Sequence, residues 1–156
     1  NSYSVKDSNF ELEQLLKNKF KVEINDYLKI RDEVISSKVR NIKLITSLNP
    51  SGKNLYVYLP TMINQNVNSN NQFIGTPELK KLGLSIKDLN VLEKKYRTEL
   101  INNLQTIENL KVYDFTEFGN LDWFHDLSHF SKKGQSEVND LLFPVFSQAL
   151  FEKKTL

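Results

Sequence analysis

The chain has no cysteine, one methionine, one tryptophan and two histidines, with only four prolines and five glycines in 156 residues. Each shortage closes something. Without cysteine there is no disulfide, no thiolate-bound zinc and no cysteine nucleophile, although such a chain suits oxidising and reducing compartments alike. No apolar run approaches the roughly 20 residues of a membrane span, and no signal peptide is visible. An excess of charge of one sign is missing too. Twenty-one basic residues against 19 acidic ones leave +2, and the lysines are spread along helix patterns, so nothing marks a nucleic-acid surface. A chain of 156 residues with 39% hydrophobic content is long enough for one domain with a real core and too short for two of ordinary size, so residues 1–156 are expected to form a single domain. A starting Met is also missing, from which a processed or truncated piece is expected.

Periodicity orders what is there. Phe10, Leu12, Leu15, Leu16 and Phe20 have the spacing of a short amphipathic helix, and Phe20-Lys21-Val22-Glu23-Ile24 alternates as a brief strand would. From Asn25 or Asp26, the recurrence of Tyr27, Ile30, Val34, Ile42, Ile45 and Leu48 predicts a long helix that stops at Asn49-Pro50-Ser51-Gly52. That stop is no phosphate loop. It lacks the first glycine and the Lys-Ser/Thr ending, and it precedes a strand where a P-loop precedes a helix.

The strand is Leu55-Tyr56-Val57-Tyr58-Leu59, a continuous apolar run suited to a parallel sheet covered on both faces. Met62 to Thr76 is rich in Asn and reads as a long exposed loop. Ser85-Ile86-Lys87-Asp88 reads as a helix cap, after which Ile86, Leu89, Tyr96, Leu100, Ile101 and Leu104 trace one helix face. Lys111 to Phe115 is a second strand, with Asp114 near its end as a secondary candidate acid. A last helix runs from Lys132, where Pro144 predicts a kink or break because it supplies no N–H. Strands separated by helices argue for β-α-β crossovers and a three-layer α/β/α sandwich with a mainly parallel sheet.

The chemistry concentrates in Trp123-Phe124-His125-Asp126-Leu127-Ser128-His129-Phe130-Ser131-Lys132-Lys133-Gly134, which holds both histidines and the only tryptophan. An Asp three residues before a His, on an irregular link between strand and helix, can bring a carboxylate to the imidazole Nδ1–H. That fixes the tautomer so that Nε2 faces outward as a base. Ser131 can cap the next helix, and Gly134 removes a Cβ where its first turn would crowd the preceding segment.

Asp126, His129 and Gly134, with a capping Ser between and a strand before, resemble the last conserved block of the SGNH/GDSL hydrolase superfamily. The resemblance covers roughly the C-terminal hundred residues, from the Leu55–Pro60 strand onward. It implies an SGNH-hydrolase-like, flavodoxin-like sandwich of which this chain is the C-terminal part. It further implies that Asp126 orients His129 as general base of a Ser-His-Asp type triad. The G-D-S nucleophile block, a separate oxyanion Gly and the G-x-N-D block do not occur in the chain.

Three functions follow as expectations. In the first, His129 takes a proton from a serine hydroxyl and an ester or O-acyl group is cleaved or transferred without a cofactor, with Trp123 and His125 against the substrate. The serine comes from an N-terminal half or a partner chain, since Ser47, Ser51 and Ser128 lack a strand-turn-helix setting that would aim a hydroxyl. The resemblance points to an O-acylated cell-envelope carbohydrate and an extracytoplasmic place of work. In the second, the domain binds or assembles without catalysis. In the third, His125 and His129, four apart, share a helix face as metal ligands with Asp122. The helix start signalled by Ser131 and Gly134 comes after His129 and argues against the metal reading.

Overall fold

The computed structural model describes residues 5–50, 52–65, 83, 85–125 and 129–151. Helix α1 (Val5–Leu15) continues into a π-helical turn, Leu16–Phe20, and is closed by Lys21 in the left-handed region at φ 56°. The strand expected at Phe20–Ile24 does not form. Phe20 is the last residue of the π turn, Val22 N–H bonds back to the Leu16 carbonyl at 3.3 Å, and Ile24 already opens α2 (Ile24–Ser47). Two alternations in five residues supply no partner strand, and the local helical bonds win.

Along α2 the buried seam is Ile35, Val39, Ile42 and Thr46, spaced four, three and four apart. Ile30, Val34, Ile45 and Leu48, expected on the inner face, are instead exposed. Ile42 alone of the expected later positions packs inward.

Strand β1 (Asn54–Tyr58), helix α3 (Ile86–Leu104) and strand β2 (Leu110–Asp114) form a β-α-β unit. The two strands pair in parallel, Asn54 opposite Leu110 through Tyr58 opposite Asp114. Among the described residues the fold is therefore mixed α/β with a two-stranded parallel sheet, in keeping with the strand spacing. The expected cap of α3 is present as a reciprocal capping box. Ser85 Oγ accepts from Asp88 N–H at 3.2 Å, and Ser85 N–H donates to Asp88 Oδ2 at 2.7 Å.

On one sheet face Tyr56, Tyr58, Leu110 and Val112 pack against Ile35 of α2 and Leu100, Leu104 and Ile107 of α3 and its exit. Lys111 and Tyr113, at alternate positions, reach Gln148 of helix α4 (Lys132–Phe151) at 3.3 and 3.5 Å. Helix α4 runs through Pro144 without the expected break. Pro144 and Asp140 are both exposed, so the turn that lacks the Pro144 N–H lies on the solvent side of α4.

Of the expected Met62–Thr76 loop, Met62–Asn64 forms a 3-10 turn and Gln65 is buried, donating to the carbonyls of Thr61 and Phe118 at 3.3 and 3.1 Å. Positions 66–76 lie outside the described residues.

Leu100 is fully buried at the centre of the larger cluster. Leu100→Ala is expected to cost about 2–5 kcal/mol, the transfer term plus an unfilled cavity. Urea unfolding checks it, and a loss below about 1 kcal/mol would contradict this description of the core.

Candidate functional site

The carboxyl ends of β1 and β2 are register partners, Tyr58 and Asp114, and the chain leaves β2 there toward the histidines. Phe115 N–H extends the ladder to the Tyr58 carbonyl at 2.9 Å. The link then turns at Phe118, whose N–H bonds the Phe115 carbonyl at 3.0 Å, and passes Gly119 at φ 99°. A 3-10 turn follows, Leu121–Trp123.

Trp123 is 9% exposed, in a cluster with Phe124 and Val138 that Leu59, Met62, Phe130, Leu141 and Leu142 flank. Two glycines make room for it. A Cβ on Gly119 would lie 2.8 Å from the indole Cε3, and one on Gly134 would lie 1.9 Å from the Trp123 carbonyl oxygen. The crowding expected at Gly134 is thus present, with the 3-10 turn in place of a strand.

Beyond Trp123 the backbone doubles back. Phe124 and Phe130 form an isolated antiparallel bridge with ring centroids 5.2 Å apart, and His125 N–H donates to the His129 carbonyl at 2.8 Å. That bond sets His125 and His129 side by side, and both are exposed. Asp126 and Ser128 lie between them, outside the described residues, as does Ser51. The chain then enters α4 through Ser131, which works three ways. Its N–H donates to the Trp123 carbonyl at 2.7 Å, its Oγ donates to the Asp122 carbonyl at 2.8 Å, and the same Oγ accepts from Gly134 N–H at 3.1 Å. The cap expected of Ser131 is therefore formed.

Neither histidine lies in a helix, so the shared helix face on which the metal reading depends is absent. Asp122 pairs with Lys133, whose ammonium is held above its ordinary value first by the hydrogen bond it donates to that carboxylate and then by the carboxylate's charge. No group of three or more His, Asp or Glu among the described residues is placed to hold a metal ion. Ser47, at the end of α2, donates its hydroxyl to the Leu44 carbonyl at 2.6 Å. A cavity of about 350 Å³ lined by Asn54, Lys53, Lys111 and Gln148 opens at the amino ends of the strands, away from the histidines.

A second polar group at the carboxyl ends has Arg97 at its centre, 7% exposed on α3. Its Nε faces Glu93 Oε1 at 3.4 Å, Nη1 faces Asp114 Oδ2 at 3.3 Å, and Nη2 faces Glu117 Oε1 at 3.8 Å. Asp114 Oδ1 accepts from Thr116 N–H and Oγ1 at 3.0 and 2.6 Å, so this secondary candidate acid is bound up in holding the link. Glu93, Arg97, Leu100 and Leu104 recur at helical spacing, and that placement of a charge pair on an apolar face was the available signal for Arg97 in the sequence.

No family model, curated protein or solved structure matches the chain.

Two outcomes follow from this geometry. Gly→Ala inside a helix ordinarily stabilises by up to about 1 kcal/mol, whereas Gly134→Ala is expected to destabilise by at least about 1–3 kcal/mol because the Trp123 carbonyl must move. Urea unfolding followed by the emission of the single tryptophan reads both the loss and the displacement. Separately, burial first and then the negative charge of Glu93 push the Tyr58 hydroxyl above its ordinary 10.0. The folded protein therefore keeps this proton when the unfolded chain loses it. The contribution is whole below pH 10.0 and drains away as pH rises toward the folded value. An alkaline unfolding titration should show that decline, and Tyr58→Phe should flatten it.

Proposed function

We propose that the chain is the C-terminal part of an SGNH-like esterase or O-acyltransferase domain, in which Asp126 orients His129 as general base. What supports the reading is the manner in which the histidine link is anchored. It leaves the carboxyl end of a parallel strand, where α/β sheets place working groups. It presents two exposed imidazoles on a backbone fixed by the His125–His129 bond, and it enters a helix capped by Ser131 with Gly134 against the Trp123 carbonyl. Helices contacting both faces of the sheet support the three-layer α/β/α form of the fold.

In the proposed step, the Asp126 carboxylate accepts from His129 Nδ1–H, leaving Nε2 to take a proton from a serine hydroxyl. The hydroxyl oxygen attacks the acyl carbon, and the imidazolium returns the proton to the leaving alcohol. The serine lies outside these 156 residues, in an N-terminal half or a partner chain, and the substrate class is an ester or O-acylated carbohydrate of the cell envelope. Exposed His125 borders that substrate, and Trp123 backs the link.

Nitrogen NMR of the two imidazoles tests the dyad without any nucleophile. His129 is expected as the Nδ1–H tautomer, and Asp126→Asn should lose that preference while His125 keeps its signal. With the nucleophile supplied, Asp126→Asn should lower ester turnover by up to ~10⁴, and His129→Ala should abolish it with the fold intact. His125→Ala should change turnover little. Trp123→Ala should lower turnover more than stability, and equal loss of both would leave Trp123 a packing role alone. If His125 proves essential and His129 silent, the proposal fails.

A further inference from the structure

We propose that Arg97 is a positioning residue for the histidine link, a role that rests on His129 acting as the base. Its guanidinium gathers three carboxylates from three segments: Glu93 of its own helix, Asp114 at the end of β2, and Glu117 in the link itself. Asp114 divides its two oxygens, one toward Arg97 and the other to the backbone and hydroxyl of Thr116, which is fully buried. Arg97 thus sets where the Asp114 carboxylate stands, and the carboxylate sets the first turn of the link.

From Thr116 the constraint passes along short steps. Phe118 bonds back to Phe115, and its carbonyl accepts from buried Gln65 at 3.1 Å. Gly119 lies beneath the Trp123 ring, and the Trp123 carbonyl accepts from Ser131 under Gly134. The link is clamped by Arg97 at its exit from β2 and by Ser131 at its entry to α4. His125 and His129 stand between the clamps.

Joining α3 to β2 does not need this charge. Leu100, Leu104 and Ile107 already meet Leu110 and Val112 there, and an apolar side chain of Arg97's volume would avoid desolvating a guanidinium. The planar fork adds direction instead. It places one nitrogen toward each of three carboxylates from fixed positions in one plane, with Nη1 hydrogen-bonded to Asp114 Oδ2 at 3.3 Å, which neither Met nor a single Lys ammonium can do.

The test is Arg97→Met, with Arg97→Lys beside it. Circular dichroism should report a folded protein. The His129 imidazole resonances and the Trp123 emission should both shift, and kcat for an activated ester, with the nucleophile supplied, should fall about 10- to 100-fold while KM holds, as expected of a misplaced base. Arg97→Lys should recover less than half of the lost kcat. Thr116→Val leaves Arg97 in place and should move the same His129 signals, so it decides the matter if Arg97→Met does not fold. Unchanged His129 and Trp123 signals in a folded variant, or full recovery by Lys, overturn the positioning role. Shifted signals together with no effect of His129→Ala on turnover leave the clamp standing and overturn the base.

Discussion

A parallel pair of strands cannot be joined by a hairpin, and most of this molecule follows from that constraint. To bring Leu110 beside Asn54 the chain must travel the length of the sheet, and α3 makes that return. A parallel ladder also needs cover, because both of its faces carry apolar side chains. Tyr56, Tyr58, Leu110 and Val112 find it in α2 and α3, while the alternate positions Lys111 and Tyr113 reach α4. Parallel pairing has a further effect that an antiparallel pair lacks: both carboxyl ends finish at the same place. Tyr58 and Asp114 are neighbours for this reason, and the Glu93–Arg97 pair and the departing link meet there.

The link solves a conflict between holding a group and leaving it accessible. If His129 is the base proposed above, its position depends on the backbone that carries it. Here the fixing is done one step away. Trp123, buried between the two glycine surfaces of Gly119 and Gly134, ties the link to α4, and Ser131 converts that contact into three hydrogen bonds. An aromatic side chain suits the task because it buries a large area while losing few rotatable bonds.

Features decided by a few neighbouring residues were legible in the sequence. The apolar runs of β1 and β2, the Ser85–Asp88 box, the Ser131 cap and the need for a missing Cβ at Gly134 all rest on short-range steric or hydrogen-bonding rules, and each is present. Features decided by the rest of the fold were not. Which stripe of α2 turns inward depends on where α3 lies, so Ile35 and Val39 displaced Ile30 and Val34 from the seam. The alternation at Phe20–Ile24 had no strand to pair with among the described residues. Of the kink or break expected at Pro144, the break does not occur, with Pro144 on the exposed side of α4. The role of Arg97 was hidden by the ordinary expectation that a charged helix residue is solvated. Its neighbours Glu93 and Leu100, at helical spacing, argue otherwise.

Arg97 and Trp123 divide the work by physical type. The tryptophan supplies burial, which is favourable and undirected, and it keeps the link attached to α4 without choosing an angle. The guanidinium supplies direction, since its nitrogens have fixed positions in one plane and each faces a different carboxylate. Burying that charge is costly, and three acidic partners offset the cost only while they stay in place. A displacement of Asp114 would leave a buried guanidinium short of a partner, so the arrangement resists motion more strongly than an apolar contact of the same size. An apolar contact can slide with little penalty. A guanidinium attachment at the exit from β2 would limit angular errors that otherwise grow along the link toward His129.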